Sequence, residues 1–361
     1  MRGAFLVLIY VVVSGLVLNS FMEQWELITA NRGNGFLGLM NRTAEKPWIY
    51  RVLTPAIVNG ATAALPARVK HALEPVVMEQ SHLLKFPKIR NTPDWTVDNA
   101  IKYHLAYFFM FGCLFLSLFL IRALTGALFS PPPAFQDFGP VLGVLLLPLT
   151  FSRGCYMYDF PELLFMSVLT LCAVRRRWVL YYVLFILAIL NKESDVFLIL
   201  FFMAFAYREM SRRAFAAHLA VQAVLGFSLL VLLRHAYANH GGFDMQFNLP
   251  TNIRYLLRPA SYLMFFDVYA PMIPVPRGFN LLSLVFLAYL VSYKWSEKPP
   301  AVRRLLVLTT AVNVPLFLWG GYKDELRNLS LIFPAVYLLG FHTLREAYAQ
   351  GGRMLGGARQ R

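Results

Sequence analysis

The 361-residue chain carries 34 Lys or Arg and only 19 Asp or Glu, and some of these charges stand where apolar sequence makes a charge costly. An ionised side chain deep in hydrocarbon costs about 2.5–3.5 kcal/mol, so such residues are functional candidates. Glu23 and Glu26 follow an apolar run at a spacing that puts both carboxylates on one helix face if the helix continues; a solvated helix end is the plainer reading. Tyr50 and Arg51 lie in the apolar stretch 49–65, where an arginine either snorkels to headgroups or clamps a phosphate with its planar fork. Tyr158-Asp159-Phe160-Pro161-Glu162 opens another apolar run, and Asp159 suits both an N-cap ahead of Pro161 and a site. Asn191-Lys192-Glu193-Ser194-Asp195 gathers polar groups between two short apolar runs, as a site or as a neutralising Lys192–Glu193 pair. Gly320-Gly321-Tyr322-Lys323-Asp324-Glu325-Leu326-Arg327-Asn328 is a tight turn, in which Glu325 and Arg327 adjoin the next apolar run. Carboxylates so placed can accept a proton or ligate a metal.

Other residue types offer less. His82, His104, His218, His235 and His240 lack ligand spacing, and Cys113, Cys155 and Cys172 form neither a metal motif nor a disulfide framework. Asn41-Arg42-Thr43 and Asn328-Leu329-Ser330 match a glycosylation pattern of low specificity. Phosphate-loop, dinucleotide-binding and hydrolase signatures are missing from any supporting context.

The elements that must position these groups are greasy. At 58% apolar and 15% charged, the composition departs from soluble proteins, which run about 45–50% apolar and about 25% charged. It predicts an all-α, polytopic transmembrane protein. Ten apolar segments are candidate spans: 4–22, 101–121, 138–152, 159–174, 178–190, 196–207, 214–234, 279–293, 304–319 and 328–344. The run 178–190 rises only about 20 Å, less than the roughly 30 Å hydrocarbon core. With 196–207 it predicts a hairpin of half-deep helices meeting at 191–195, one kinked helix being the alternative.

The net charge of +15 does not indicate nucleic acid, because the cations sit in short loops between apolar runs. Assigning the first residue to the cytoplasm places sixteen of them inside: Arg2, Arg122, Arg175, Arg176, Arg177, Arg208, Arg212, Arg213, Lys294, Lys298, Arg303, Arg304, Arg345, Arg353, Arg359 and Arg361. The short loops opposite hold only Arg153, Lys192, Lys323 and Arg327. Both termini are therefore expected in the cytoplasm, with the protein in the plasma membrane and most acids on the outer side. Residues 1–344 read as one transmembrane domain and 345–361 as a basic cytoplasmic tail. Its outer segments are 23–100, with helices lying along the interface, and 235–278, an aromatic and proline-rich loop.

In this arrangement the chain resembles the GT-C superfamily of membrane glycosyltransferases over about residues 1–344. Pro47-Trp48-Ile49-Tyr50-Arg51-Val52-Leu53-Thr54-Pro55, Tyr158-Asp159-Phe160-Pro161 and Asn191-Lys192-Glu193 are similar to segments of bacterial GT-C-like proteins. The resemblance implies transfer of a sugar from a polyprenyl-phosphate donor, at the outer face, to a glycan, lipid or protein acceptor. In GT-C enzymes a catalytic Asp usually stands in the first outer loop; here Glu23 and Glu26 occupy that place. An inverting displacement would draw its base, or ligands for a divalent metal, from Glu23, Glu26, Asp159 and Glu193. Tyr50, Arg51, Lys192, Glu325 and Arg327 would line the lipid-phosphate side. A lipid-linked glycan flippase, a polysaccharide polymerase and a non-catalytic membrane assembly subunit are the alternatives.

Overall fold

The computed structural model describes residues 2–28, 33–92, 94–150, 155–270 and 273–358. Arg153, Arg359 and Arg361, counted above for topology, lie outside the described residues. Within the described residues, each of the ten apolar segments falls mainly on helix. Helix α1 spans Arg2–Trp25, and short helices α2 (Phe36–Met40), α3 (Leu53–Ala64), α4 (Ala67–Met78) and α5 (Pro87–Arg90) follow it. Then come α6 (Val97–Phe129), α7 (Pro133–Leu145), α8 (Asp159–Val174), α9 (Trp178–Asn191), α10 (Ile199–Ala206) and α11 (Arg212–Ala236). Finally there are α12 (Leu249–Leu257), α13 (Leu281–Ser292), α14 (Pro300–Gly320) and α15 (Phe333–Ala358). Helices α1, α6, α11 and α14 are long and apolar enough to cross a membrane by length and composition.

Local chemistry sets the boundaries. The Thr96 hydroxyl accepts from the Asn99 amide at 3.3 Å to start α6, and Ser130 in the left-handed region, before a proline run, ends it. Ser211 caps α11 and Asn280 caps α13 in the same manner. The main core is an apolar cluster in which α6 packs along α8 and α1 flanks α6, and a smaller one of Val77, Ala100 and Ile101 joins α4 to α6. Helices α7 and α15 approach closely because Gly139 and Gly143 have no side chain. An added Cβ would meet the rings of Phe341 and Tyr337 at 2.4 and 2.6 Å.

The short apolar runs around 191–195 turn back on each other. The Tyr181 hydroxyl donates to the Leu198 carbonyl at 2.7 Å, and the Trp178 ring meets Phe202 at 5.2 Å. Helices α9 and α10 are thus an antiparallel hairpin rather than one kinked helix, with Lys192 extended at the break. Two expectations need correction. Residues 235–278 are not merely loop: they form α12 and a two-stranded antiparallel hairpin, β1 (Phe265–Ala270) with β2 (Ile273–Pro276). Aromatic and β-branched residues favour that pairing, and the prolines of β2 fall in a strand with a free edge. Helix α15 also continues past residue 345, so the expected tail begins as an extension of the last helix.

Candidate functional site

Helix α1 stops at Trp25, and Glu26, Leu27 and Ile28 follow with φ of 46°, 57° and 54°. That left-handed turn, costly for residues bearing a Cβ, keeps Glu23 and Glu26 from sharing a helix face. Glu23 accepts from the Asn19 amide at 2.6 Å and is exposed. Glu26 is buried and accepts from the backbone N–H groups of Lys88 and Ile89, closing the start of α5. These bonds tie the start of α5 to the end of α1. Tyr50 also points elsewhere: its hydroxyl donates to Asp244, which lies 3.7 Å from Arg234.

The remaining candidates converge. Arg51 is buried, lies in the turn before α3, and holds Glu193 with Nε and Nη2 at 3.3 and 3.1 Å. Its third arm donates to the Tyr158 hydroxyl. Lys192, buried beside Glu193, donates to Glu162 at 2.7 Å and stands 3.7 Å from Asp159. Arg327 reaches Glu325 at 2.6 Å and Asp159 at 3.6 Å. The turn that carries Glu325 and Arg327 is fixed by Asn328, which donates to Glu325, and by Asn313 of α14, which donates to the Asn328 carbonyl.

Aromatic stacking joins the two halves. Arg51 lies 4.1 Å over the Tyr158 ring, Tyr158 stacks on Tyr156 at 5.1 Å and 9°, and Arg327 lies 4.5 Å over Tyr156. The resulting Arg-Tyr-Tyr-Arg ladder fixes two guanidinium groups on opposite sides of one aromatic pair. Asn34 anchors it by donating to the Tyr156 hydroxyl at 2.8 Å.

Asp159 does not serve as a forward helix cap. Its Oδ2 accepts from the Tyr156 backbone N–H at 2.8 Å, while Oδ1 has no hydrogen-bond donor among the described residues. Glu162, three residues on, is saturated: Lys192 occupies one oxygen and the Ser330 hydroxyl the other, at 2.6 Å. Glu162 and Asp195 are site residues that sequence reasoning left unassigned. The spacing of Asp159 and Glu162 at the start of one helix was the available signal for Glu162. Both oxygens of the fully buried Asp195 lack partners among the described residues.

Burial and charge divide the titrating groups. Burial pushes the Asp195 carboxyl well above the usual carboxylate range, reinforced by Glu162. For Glu193 burial acts the same way, but the Arg51 guanidinium overrides it and holds the carboxyl low. Burial works against the Lys192 ammonium, yet Glu162 and Asp159 raise it above its ordinary value. Burial thus favours the neutral form of Asp195, whereas Arg51 favours the charged form of Glu193.

A cavity of about 400 Å³ runs between α7, α8, α13 and α15. Its walls are overwhelmingly apolar, and Asp159, Glu162, Arg327 and Ser330 gather at one end. Leu142 on α7 and Leu146 just after it, with Phe286 and Leu287 on α13, line it and are themselves exposed, so it opens on the flank of the helix bundle.

The acids do not suit a metal. Glu162, Glu193 and Glu325 each have a cation within hydrogen-bonding distance, and no three His, Cys, Asp or Glu among the described residues group to hold an ion. The chain matches no family model, no curated protein and no solved structure.

Proposed function

We propose that this protein is an integral membrane glycosyltransferase of GT-C type, moving a sugar from a polyprenyl-phosphate donor to an acceptor at the extracytoplasmic face. The observation that carries the reading is the cavity, apolar along its length, open on the bundle's flank and charged at one end. An amphiphile with a long hydrocarbon chain and an anionic head fits that gradient. Its chain would enter sideways from lipid, and its phosphate would rest by Arg327.

Asp159 is the base in this reading. One oxygen is held by backbone; the other stands 3.7 Å from Lys192 and 3.6 Å from Arg327 with no hydrogen-bond donor among the described residues, and is the one that takes the proton. The acceptor hydroxyl oxygen bonds to the anomeric carbon as the carbon–oxygen bond to phosphate breaks. The bonding pair leaves on the phosphate oxygen, beside the Arg327 guanidinium, and the hydroxyl proton passes to Asp159. Inversion at the anomeric carbon follows from attack opposite the leaving group. Arg51 and Glu193 act one step away: their pair and the tyrosine ladder hold the segment before α8, and hence Asp159, in place. The sorting of short-loop cations supports an orientation with both termini in the cytoplasm.

A prenyl phosphate bearing a photoreactive group close to its phosphate tests this on the full-length protein in detergent. Labelling concentrated on α8 and residues 326–332, and competed by unlabelled prenyl phosphate, is the expected outcome. Labelling elsewhere, or unaffected by competitor, refutes the site.

A further inference from the structure

Helix α12 has an exposed face with an uncommon mixture of side chains. Pro250, Ile253 and Leu257 lie on it, the last two 45% and 77% exposed, beside the exposed Arg254 and Arg258. Their spacing keeps Pro250, Ile253, Arg254 and Leu257 on one side of the helix, and Arg258, the extended residue that ends it, lines the same concavity. Together with Leu249 they line an open concavity of about 690 Å³. Neither arginine forms an ion pair among the described residues, whereas Arg51, Arg122, Arg277 and Arg327 each do.

The position of the helix is fixed by its opposite face. The buried Asn252 amide donates to the carbonyls of Phe317, Leu318 and Gly321, at 3.1, 3.0 and 2.7 Å, and so caps the last turn of α14. The Asn248 backbone N–H donates to Trp319 in the same turn, at 2.7 Å. Helix α14 is long and apolar enough to cross a membrane, so its end marks the depth of the membrane surface. Helix α12 is therefore held at that depth with greasy side chains and two guanidinium groups facing outward. The Tyr255 ring meets Phe279 at 6.0 Å, and Phe279 lines the long cavity.

We propose that α12 is a binding site for an anionic phospholipid of the surrounding bilayer, Arg254 and Arg258 taking the headgroup phosphate and Pro250, Ile253 and Leu257 the upper acyl chains. Charge and polarity both select this occupant. Hydrocarbon covers the apolar residues, a phosphate answers two guanidinium groups that have no ion pair among the described residues, and both lie at one depth only at a lipid interface. This inference rests on the placement of α12 alone and is independent of the transferase reading.

The test uses the full-length protein in nanodiscs of phosphatidylcholine with or without phosphatidylglycerol. A fluorophore on Ile253→Cys reports depth through quenching by brominated acyl chains, and native mass spectrometry counts retained lipid. Expected are strong quenching at position 253, none at a probe on Asn239→Cys, and selective retention of phosphatidylglycerol. That selectivity should fall roughly fivefold for each of Arg254→Gln and Arg258→Gln. A position-253 probe that bromine does not quench means water or protein covers the face, and overturns the proposal. So does phosphatidylglycerol retention unchanged in the double variant, since it places the anionic lipid elsewhere.

Discussion

Replacing Lys192 with methionine removes the ammonium group 2.7 Å from Glu162, in a pair whose side chains are only 7% and 2% exposed. Losing one member of a buried pair typically costs about 3–5 kcal/mol, because the survivor is left charged and uncompensated. The Ser330 hydroxyl still donates to Glu162, which moderates the cost, but Asp159 loses a cation at 3.7 Å as well. Lys192→Met should therefore fall inside that range, and Glu162→Gln should do likewise by stranding the lysine. The double variant leaves neither charge, and its amide can still meet Ser330, so it should lie within about 2 kcal/mol of wild type. Unfolding titrations in mixed micelles measure all four corners of the cycle. Additive single-variant losses, or a double variant worse than either parent, would refute the view that these two residues neutralise each other.

Asp195 should behave oppositely to a paired acid. Its folded-state pKa is raised by burial and by Glu162; the stability it permits is complete below the unfolded value of roughly 3.9 and erodes as pH rises towards the folded value. Asp195→Asn, which resembles the neutral acid, should equal wild type at low pH and exceed it in thermal stability at pH 8, a sign that melting curves read directly. Gly340 lines the cavity, and a Cβ there would meet Leu290 at an ordinary 3.6 Å. Gly340→Ala should fold normally, whereas Gly340→Leu should fill the cavity and weaken binding of long-chain prenyl phosphates at least tenfold while sparing water-soluble phosphosugars, as competition binding will register. A cysteine replacing Lys323 should react with an impermeant maleimide added outside intact cells; reaction only after permeabilisation would invert the orientation.

Much of this architecture was legible in the chain because apolar length and charge placement are direct physical signals. The runs 178–190 and 196–207 are too short to cross a bilayer singly and carry arginines at their far ends, which pointed to the α9–α10 hairpin. Arg51, Asp159, Lys192, Glu193 and Arg327 were legible as charges where hydrocarbon penalises charge, and they meet. That Glu23 and Glu26 do not share a helix face was not legible, because a change of hand after Trp25 leaves no mark in an apolar sequence followed by two acids. Tyr50 was chosen as a neighbour of Arg51, but adjacent residues point apart, and its hydroxyl found Asp244 from nearly two hundred residues away. The tyrosine ladder and the unpartnered state of Asp195 depend on which side chains three separate elements bring to one point. Spacing along one element cannot encode that.

The central claim is that the charged end of the cavity breaks the bond between a sugar and a prenyl phosphate. Purified protein in nanodiscs, supplied with a radiolabelled prenyl-phosphate sugar and a crude acceptor fraction from the same membranes, tests it by the appearance of free prenyl phosphate alongside labelled product. The account predicts equal amounts of the two from wild type and neither from Asp159→Asn, which keeps the donor bound. Donor that is bound but returned intact by wild type, or Asp159→Asn turning over at the wild-type rate, would contradict it.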